Sequence, residues 1–173
     1  SGVIVWRATP ASPVKQIVFA MDGNRVTHVD RSPPYEYVVD TTRLADGKHT
    51  FRAKAEGPGG AAQTPLLSWM VDSQDPKVAI DDLPAIARKG IPRLRYSGAD
   101  RGGSGLAYYQ IRTRQSAVLG NFEEPVIVND ADSSPERVRR LTIERGKTVC
   151  ASVRAVDGVG HWSGWSDWSC VSR

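Results

Sequence analysis

The sequence lacks most of the features that assign a chain to a class at first sight. Its 173 residues contain no run of about 18 apolar residues, so no membrane-spanning helix is predicted. Apolar residues rarely recur at helical spacing, which argues against a helical fold. The first ten residues have neither the basic segment nor the apolar stretch of a signal peptide, so none is expected there. Two cysteines without CxxC spacing are too few to form a metal site alone.

A strong concentration of charge is also lacking. The formal net charge is +4. Residues 1–75 carry 8 basic and 8 acidic side chains, whereas residues 76–173 carry 15 basic and 11 acidic ones. The two signs alternate along the chain, and the densest basic stretch is only Arg137-Val138-Arg139-Arg140. Nucleic-acid binding requires clustered positive charge, so no nucleic-acid partner is predicted.

The residues for an active site are missing too. The three histidines, His28, His49 and His161, are far apart in sequence, and no GxSxG or HExxH motif accompanies them. Asp100 and Asp157 lie in turn sequences, where carboxylates commonly bind backbone N–H groups. We therefore predict no catalytic residue, no metal site and no cofactor. Calcium held by Asp100 or Asp157 is the alternative, because hard cations prefer oxygen ligands.

What the sequence does contain is a regular series of short apolar runs. They are separated by Gly, Pro, Asp or Asn, which is typical of an all-β sandwich. Asp22-Gly23-Asn24 predicts a hairpin, because Gly and Asn tolerate positive φ. His49, Phe51, Ala53 and Ala55 are expected to face inward. The strands predicted in the first half are residues 3–8, 14–21, 25–29, 35–39, 49–55 and 67–71.

The first half also resembles a known family. The pattern PPYxxxxDTTxLADGxHTxxAxA, which begins at Pro33, resembles bacterial immunoglobulin-like repeats. The resemblance implies a secreted or surface protein, since such repeats are appended to actinobacterial polysaccharide hydrolases. It also implies that a first strand is missing before residue 3 and that the chain is cut from a longer protein. The residues that carry the resemblance are Val18, Phe19, Asp22, Gly23, Pro34, Tyr35, Asp40, Thr41, Thr42, Leu44, Asp46, Gly47, His49 and Thr50.

A polar segment, residues 72–76, separates this half from a second series of strands. Asp72 and Asp75 are too few to form a calcium site, so a solvated linker is predicted. The predicted domains are residues 1–73 and 76–173, two consecutive Ig-like or fibronectin III-like β-sandwiches. DxGGSGLAxYxxRxR and CxxVRAxDxxGxxSxWS in the second half again resemble the bacterial Ig-like family. The second half has seven predicted strands, the number in an Ig-like or fibronectin III-like sandwich. The tryptophan-rich end is the seventh. The first six are residues 77–80, 94–96, 106–113, 126–128, 138–143 and 149–156.

The two cysteines are predicted to face each other across the last hairpin. Antiparallel partners have residue numbers with a constant sum, and a turn at residues 158–161 sets that sum near 320. Cys150 and Cys170 satisfy it, so a disulfide is predicted. Closing this loop would stabilise the fold by about 3 kcal/mol in the chain-entropy model. It also indicates an oxidising, extracytoplasmic location.

Trp162, Trp165 and Trp168 follow each other at a spacing of three, the period of polyproline II, so their indoles should project from one side. Because Tyr109 and Ile111 suit the core, Arg112 and Arg114 should face outward on their strand, as should Arg154 on its own. Guanidinium groups between indoles form cation–π contacts, which predicts a ladder of Trp162, Trp165, Trp168, Arg112, Arg114 and Arg154. WSGWS and WSDWS resemble the WSXWS segment of cytokine-receptor fibronectin domains.

The sequence thus predicts a non-catalytic accessory, spacer or adhesion module of a larger secreted or cell-surface bacterial protein. Its partners would be neighbouring domains of that protein and, in addition, a polysaccharide or cell-surface ligand. One alternative is a carbohydrate-binding module attached to a polysaccharide-degrading enzyme, with the tryptophans as the sugar platform. Another is protein recognition by strand addition at a sheet edge.

Overall fold

The computed structural model describes residues 2–23, 26–88, 91–117 and 120–173. The chain divides into two compact units, Ser1–Ser73 and Gln74–Arg173. Both are built from β-strands, and the described residues contain no α-helix. No helix among them has the length and apolar character needed to cross a membrane. The predicted fold class, all-β with two consecutive sandwiches, is confirmed.

The first unit packs a two-stranded sheet against a five-stranded one. Strands β1 and β4 form the small sheet, and β2 lies between β3 and β5 in the large one. The long strand β5 pairs with β7 along its first half and with β6 along its second. The strands are β1 (Val3–Ala8), β2 (Gln16–Met21), β3 (Val26–Asp30), β4 (Tyr35–Asp40), β5 (Gly47–Gly57), β6 (Gly60–Gln63) and β7 (Leu67–Val71).

Aromatic side chains fill the space between these two sheets. Phe19 and Phe51 are fully buried. Trp6 lies 5.5 Å from the Phe19 ring and 4.8 Å from the Phe51 ring, the latter edge-on. Trp69 also stacks on Phe51, with ring centroids 3.8 Å apart. Since β1, β2, β5 and β7 each contribute one of these rings, the cluster joins both sheets.

The strand prediction for this unit missed one strand and shifted some boundaries. Strand β6 was not predicted, because its Gly and Ala side chains lack β-propensity. It forms because the backbone of β5 offers ladder partners from Lys54 to Gly57. Strand β2 begins at Gln16, two residues after the predicted start. Asn24 of the predicted hairpin and Arg25 of the predicted third strand lie outside the described residues.

The second unit is a sandwich of a three-stranded and a four-stranded sheet. The smaller sheet has the order β12-β9-β8 and the larger one the order β11-β10-β13-β14. Leu94, Tyr109, Ile111 and Val153 are fully buried between them. The strands are β8 (Lys77–Ile80), β9 (Arg93–Ala99), β10 (Leu106–Ala117), β11 (Val126–Asp130), β12 (Glu136–Arg140), β13 (Lys147–Asp157) and β14 (Ser169–Ser172).

Strand β8 has the predicted bounds, whereas the next five strands differ from the prediction at one or both ends, by one to four residues. The strand predicted at residues 138–143 is β12, which ends at Arg140, and the buried Leu141 and Ile143 follow it outside the ladder. At the end of the chain only Ser169–Ser172 is regular strand. The tryptophans before it lie in an irregular segment whose pairing is described below.

A polar cluster ties the edge strands β11 and β12 to β9. The Tyr96 hydroxyl donates to the carboxylate of Asp130, and Arg137 contacts both Asp130 and Asp132. Burial raises the pKa of Tyr96, and its hydrogen bond to Asp130 raises it further. Burial alone would raise the pKa of the Asp130 carboxyl, but hydrogen bonds from Tyr96 and Arg137 are among those that lower it. The cluster therefore holds a permanent ion pair where the two sheets meet at one edge.

In the first unit, His49 fastens strand β5 to the turn that follows β2. Its Nδ1 lies 2.7 Å from Asp22 Oδ2 and its Nε2 lies 2.8 Å from the Ala45 carbonyl. Both partners are acceptors, so the arrangement requires the doubly protonated ring. The hydrogen bond to Ala45 raises the pKa of His49 most; burial opposes it, and Asp22 adds to the rise. Burial would raise the pKa of Asp22, but hydrogen bonds from Thr50 N–H and His49 lower it.

We expect the first unit to lose stability as the pH rises above about 6.5, the ordinary pKa of histidine. A folded-state pKa raised above the ordinary 6.5 gives stability that is complete below 6.5 and lost as pH rises through the folded value. The loss should be about 1 kcal/mol or less, as for other exposed ion pairs. Urea unfolding followed by the indole NMR signals of Trp6 and Trp69 measures it. His49→Gln should flatten the profile; a wild-type stability that increases over this range contradicts the assignment.

Candidate binding site: the tryptophan–arginine stack

The outer face of the four-stranded sheet presents three arginines. Arg112 pairs with Ser152 across β10 and β13, and Arg154 pairs with Gln110. Their neighbours Ile111 and Val153 are fully buried. Because side chains alternate between faces along a strand, all residues in phase with Arg112 and Arg154 point away from the core. Arg114, two residues beyond Arg112, shares that face.

The tryptophan segment (residues 161–168) runs beside β13 without forming a regular ladder. Ser163 N–H donates to the Ala155 carbonyl at 2.9 Å, and Ala155 N–H donates to Ser163 Oγ at 2.8 Å. Ser166 does the same with Val153, at 2.8 and 3.0 Å. Each serine hydroxyl thus replaces the carbonyl that an ordinary strand would offer. The serines satisfy the edge of β13 while the residues between them are freed from pairing.

This pairing explains why the tryptophans recur at a spacing of three. Ser163 lies beside Ala155, Ser166 beside Val153, and Ser169 pairs with Ala151. The segment advances three residues for every two of β13. Each serine therefore meets a residue of β13 that faces the core, and the tryptophan before each serine is placed over the outer face. The repeat Trp-Ser-x in the sequence therefore reflects the pairing of three residues of the segment with two residues of β13.

The structure brings the six predicted residues into one alternating stack. The guanidinium carbon of Arg154 lies 3.9 Å from the ring centroid of Trp162 and 4.6 Å from that of Trp165. The same carbon of Arg112 lies 4.4 Å from both Trp165 and Trp168. Arg114 follows, 4.3 Å from Trp168. All these distances are within the range of cation–π contacts. We call these six residues the tryptophan–arginine stack.

Two further rings close the ends of the stack. Phe122 lies 4.3 Å from the Arg114 guanidinium, on the side away from Trp168 in the order of the stack. Tyr108 meets Trp162 edge-on, with centroids 6.1 Å apart. Sequence reasoning did not identify either ring. Tyr108 could have been found, because it lies in phase with Arg112 along β10, whereas Phe122 lies in a loop without periodicity.

The three arginines differ in their hydrogen bonds. Arg154 donates through Nε and Nη2 to Oε1 of Gln110, at 2.9 and 2.7 Å. Arg112 and Arg114 donate to no acceptor in the described part of the chain, and the Nε atoms of both are buried without a partner. Burial lowers the pKa of Arg112, and the positive charges of Arg114 and Arg154 lower it further. A guanidinium stays protonated in proteins and an indole N–H is only a hydrogen-bond donor, so the stack can bind or stabilise but cannot act as an acid or base.

The disulfide lies at one end of the stack. Cys150 and Cys170 are paired residues of β13 and β14, and their sulfurs are bonded. Their Cα atoms are 3.9 Å apart, so the two strands approach each other closely at this pair. Cys150 is fully buried and pairs with Arg114 on its other side. The predicted disulfide is thus present, on the same face as the arginines.

The two candidate calcium ligands of this unit bind backbone N–H groups. Asp100 accepts from Gly102 and Gly105, at 3.1 and 2.6 Å. Asp157 is buried and accepts from Val159 and His161 through Oδ1, at 2.9 and 2.8 Å. Both therefore shape their turns, as carboxylates in such sequences commonly do. The prediction of no metal site, and its alternative of calcium at either residue, both stay untested.

Comparisons with known proteins add the following findings. No protein-family model matches the chain, and no curated protein sequence matches it. The FN1-FN3 domains of chicken CNTN1 align with 99% of this chain at 13% identity and a TM-score of 0.47. A tetra-tandem repeat from the extending region of a large adhesion protein aligns with 98% at 16% identity and a TM-score of 0.41. This chain spans 61% and 48% of those two chains. The strand order and the core of each unit show that this protein is a tandem of β-sandwiches.

Reduction of the disulfide should destabilise the second unit by about 3 kcal/mol, the chain-entropy value for a loop of this length. The loop spans 20 residues. Mass spectrometry should show a gain of two hydrogens on reduction. Denaturant unfolding of the reduced protein, and of a Cys150→Ala/Cys170→Ala variant, measures the stability. Two free thiols in the protein purified without reductant would refute the pairing.

Replacing Arg112 by Met should cost the second unit about 1–3 kcal/mol, because two cation–π contacts are lost while the side-chain volume is kept. Arg95 is the matched control, since it is exposed on β9 in the opposite sheet. Arg95→Met should change the unfolding free energy by no more than about 0.5 kcal/mol. Equal effects of the two substitutions would show that the stack does not stabilise the fold.

Proposed function

We propose that this chain is a non-catalytic accessory or adhesion module, a pair of spacer-like β-sandwiches within a larger secreted or cell-surface bacterial protein of the actinobacterial type. The proposal rests mainly on one observation. In the second unit, the side of β13 that faces the end of the chain is reinforced. There a disulfide and a stack of alternating rings and cations fasten an irregular segment to the sheet. Such a fastening suits a domain exposed to an oxidising, unprotected environment.

The polar groups of the chain support a role without catalysis. Asp100 and Asp157 bind backbone N–H groups of their own turns, and His49 binds Asp22 and Ala45. The stack itself contains no nucleophile or proton-transfer group. The parent protein can still be an enzyme, with this chain positioning or attaching its catalytic part.

A carbohydrate-binding module is the second candidate. It is favoured by the rings at the two ends of the stack, since Trp162 is 39% exposed and Phe122 is 40% exposed. Exposed rings bind the apolar faces of sugars. The inner indoles, Trp165 and Trp168, are less suited to this, because each lies between two guanidinium groups.

Strand addition is a third candidate, favoured by the edge strand β11. Val126 is 63% exposed and Ile127 is 52% exposed, and among the described strands β11 pairs with β10 alone. An apolar edge strand of this kind offers unpaired backbone groups to an extended partner. Retention of a partner protein that is lost when Ile127 is replaced by Pro would favour this candidate.

Binding to a panel of neutral insoluble polysaccharides separates the first two candidates. An accessory or spacer module whose inner indole faces are covered should remain in the supernatant and release no soluble sugar. A carbohydrate-binding module should be retained, should lose retention as Trp162→Ala and should keep it as Trp162→Phe. Release of soluble sugar by the purified chain would contradict the proposal.

A further inference from the structure

Three cations of the second unit lie side by side without an acidic partner. Arg112 and Arg114 form no ion pair in the described residues, and Arg154 is bound by a neutral amide, that of Gln110. The ion pairs found in this unit involve other residues, chiefly Arg137. Burial lowers the pKa of Arg112 most, and repulsion from Arg114 and Arg154 lowers it further. An anion placed along the row would relieve this repulsion.

The stack leaves terminal N–H groups of the three guanidinium groups for a ligand, and Arg112 and Arg114 keep more of them than Arg154 does. Both faces of Arg112 are covered by Trp165 and Trp168, and those of Arg114 by Trp168 and Phe122. Arg154 already binds Gln110 through Nε and Nη2, and the Nε atoms of Arg112 and Arg114 are buried. The terminal Nη groups of Arg112 and Arg114, with Nη1 of Arg154, are then left for contact. Those groups match the two oxygens of a carboxylate or sulfate in a bidentate contact. Because the side chains are already held, little rotamer freedom is lost on binding.

The spacing of the row defines the kind of ligand. Arg154 and Arg112 both contact Trp165, so their guanidinium carbons are at most about 9 Å apart. Arg112 and Arg114 share Trp168 in the same way, again within about 9 Å. Cations therefore alternate with apolar ring edges along a line. A linear polymer in which anionic groups alternate with apolar ring faces is complementary to this arrangement.

Aromatic rings and further arginines lie at the ends of the row formed by Arg154, Arg112 and Arg114. The partly exposed rings of Trp162 and Phe122 offer stacking surfaces for sugar rings. Next to Arg114, a cleft of about 350 Å³ is lined by Arg114, Arg139 and Arg140, with Glu123 and Glu124 also on its wall. The three arginines exceed the two glutamates, so the positive surface continues past the stack.

We propose that the outer edge of the tryptophan–arginine stack binds a linear acidic polysaccharide, with Arg112, Arg114 and Arg154 contacting its carboxylate or sulfate groups. This inference rests on the proposed accessory or adhesion function and gives that function a ligand class. Neutral polysaccharides lack the groups that the row recognises. The covered indole faces thus serve to hold the arginines in place.

The test is a titration of the full chain with four soluble polymers: heparin for sulfate, polygalacturonate for carboxylate, dextran as a neutral glycan, and duplex DNA. Heparin, polygalacturonate or both should bind, and binding should weaken as salt rises because the contacts are ionic. Binding of only one identifies the anionic group. Dextran should not bind, and DNA should bind at least about tenfold more weakly than the better polysaccharide, a difference of about 1.4 kcal/mol.

Substitutions locate the site on the row. Arg114→Met should weaken binding about ten- to a hundredfold, the value of one charged hydrogen-bonding group. Arg95→Met removes the same charge from the opposite sheet and should change affinity by less than about twofold, since separated charges are screened. Each variant is first checked for the far-UV and near-UV spectra of the folded protein.

A readout on the wild-type chain does not depend on the folding of any variant. Indole N–H signals of Trp165 and Trp168 should shift in NMR spectra on addition of the polysaccharide, whereas those of Trp6 and Trp69 should not. The proposal is overturned by an absence of binding, by equal affinity for DNA, by an unchanged affinity of folded Arg114→Met, or by shifts confined to Trp6 and Trp69. These failures leave the accessory role standing, because that role is tested by the neutral panel and by the absence of sugar release.

Discussion

The second unit depends on cation–π contact between arginines of the sheet and tryptophans of the segment that follows β13. Those residues cannot continue the sheet in the ordinary way, because the segment advances three residues for every two of β13. Serine hydroxyls satisfy the backbone of β13, but they contribute no apolar burial. The stacking of Trp165 between Arg154 and Arg112 provides the packing that holds the segment down.

The disulfide and the stack both attach the end of the chain to β13, but they do so at different places and by different means. Pairing is regular where Cys150 meets Cys170 and irregular where the serines replace carbonyl groups. The covalent bond limits the freedom of the unfolded chain, whereas the stack contributes contacts present only in the folded state. Arg114 joins the two, because it pairs with Cys150 in the sheet and contacts Trp168 in the stack.

The face of the arginines and the partner of each cysteine could be predicted from the sequence, since both follow from the two-residue period of strands and from a constant register sum. Strand β6 could not be predicted, because its small side chains have no strand preference and its existence depends on β5. Phe122 could not be placed for a similar reason: its loop has no period, and only the folded chain brings it to Arg114. The Trp-Ser-x repeat is the sequence signal of the serine pairing. It could be interpreted only once the structure had shown that the segment lies beside β13.

The same arginines have an observed role and a proposed one. They contact the tryptophan segment, and we propose that their terminal N–H groups bind a ligand. A double-mutant cycle between Arg112 and Trp165 tests the first role, on which the second depends. Unfolding free energies of the wild type, Arg112→Met, Trp165→Leu and the double variant should give a coupling energy of about 1 kcal/mol, within the range of buried cation–π pairs. A coupling energy of zero would contradict the account, because the two side chains would then stabilise the fold independently of their contact.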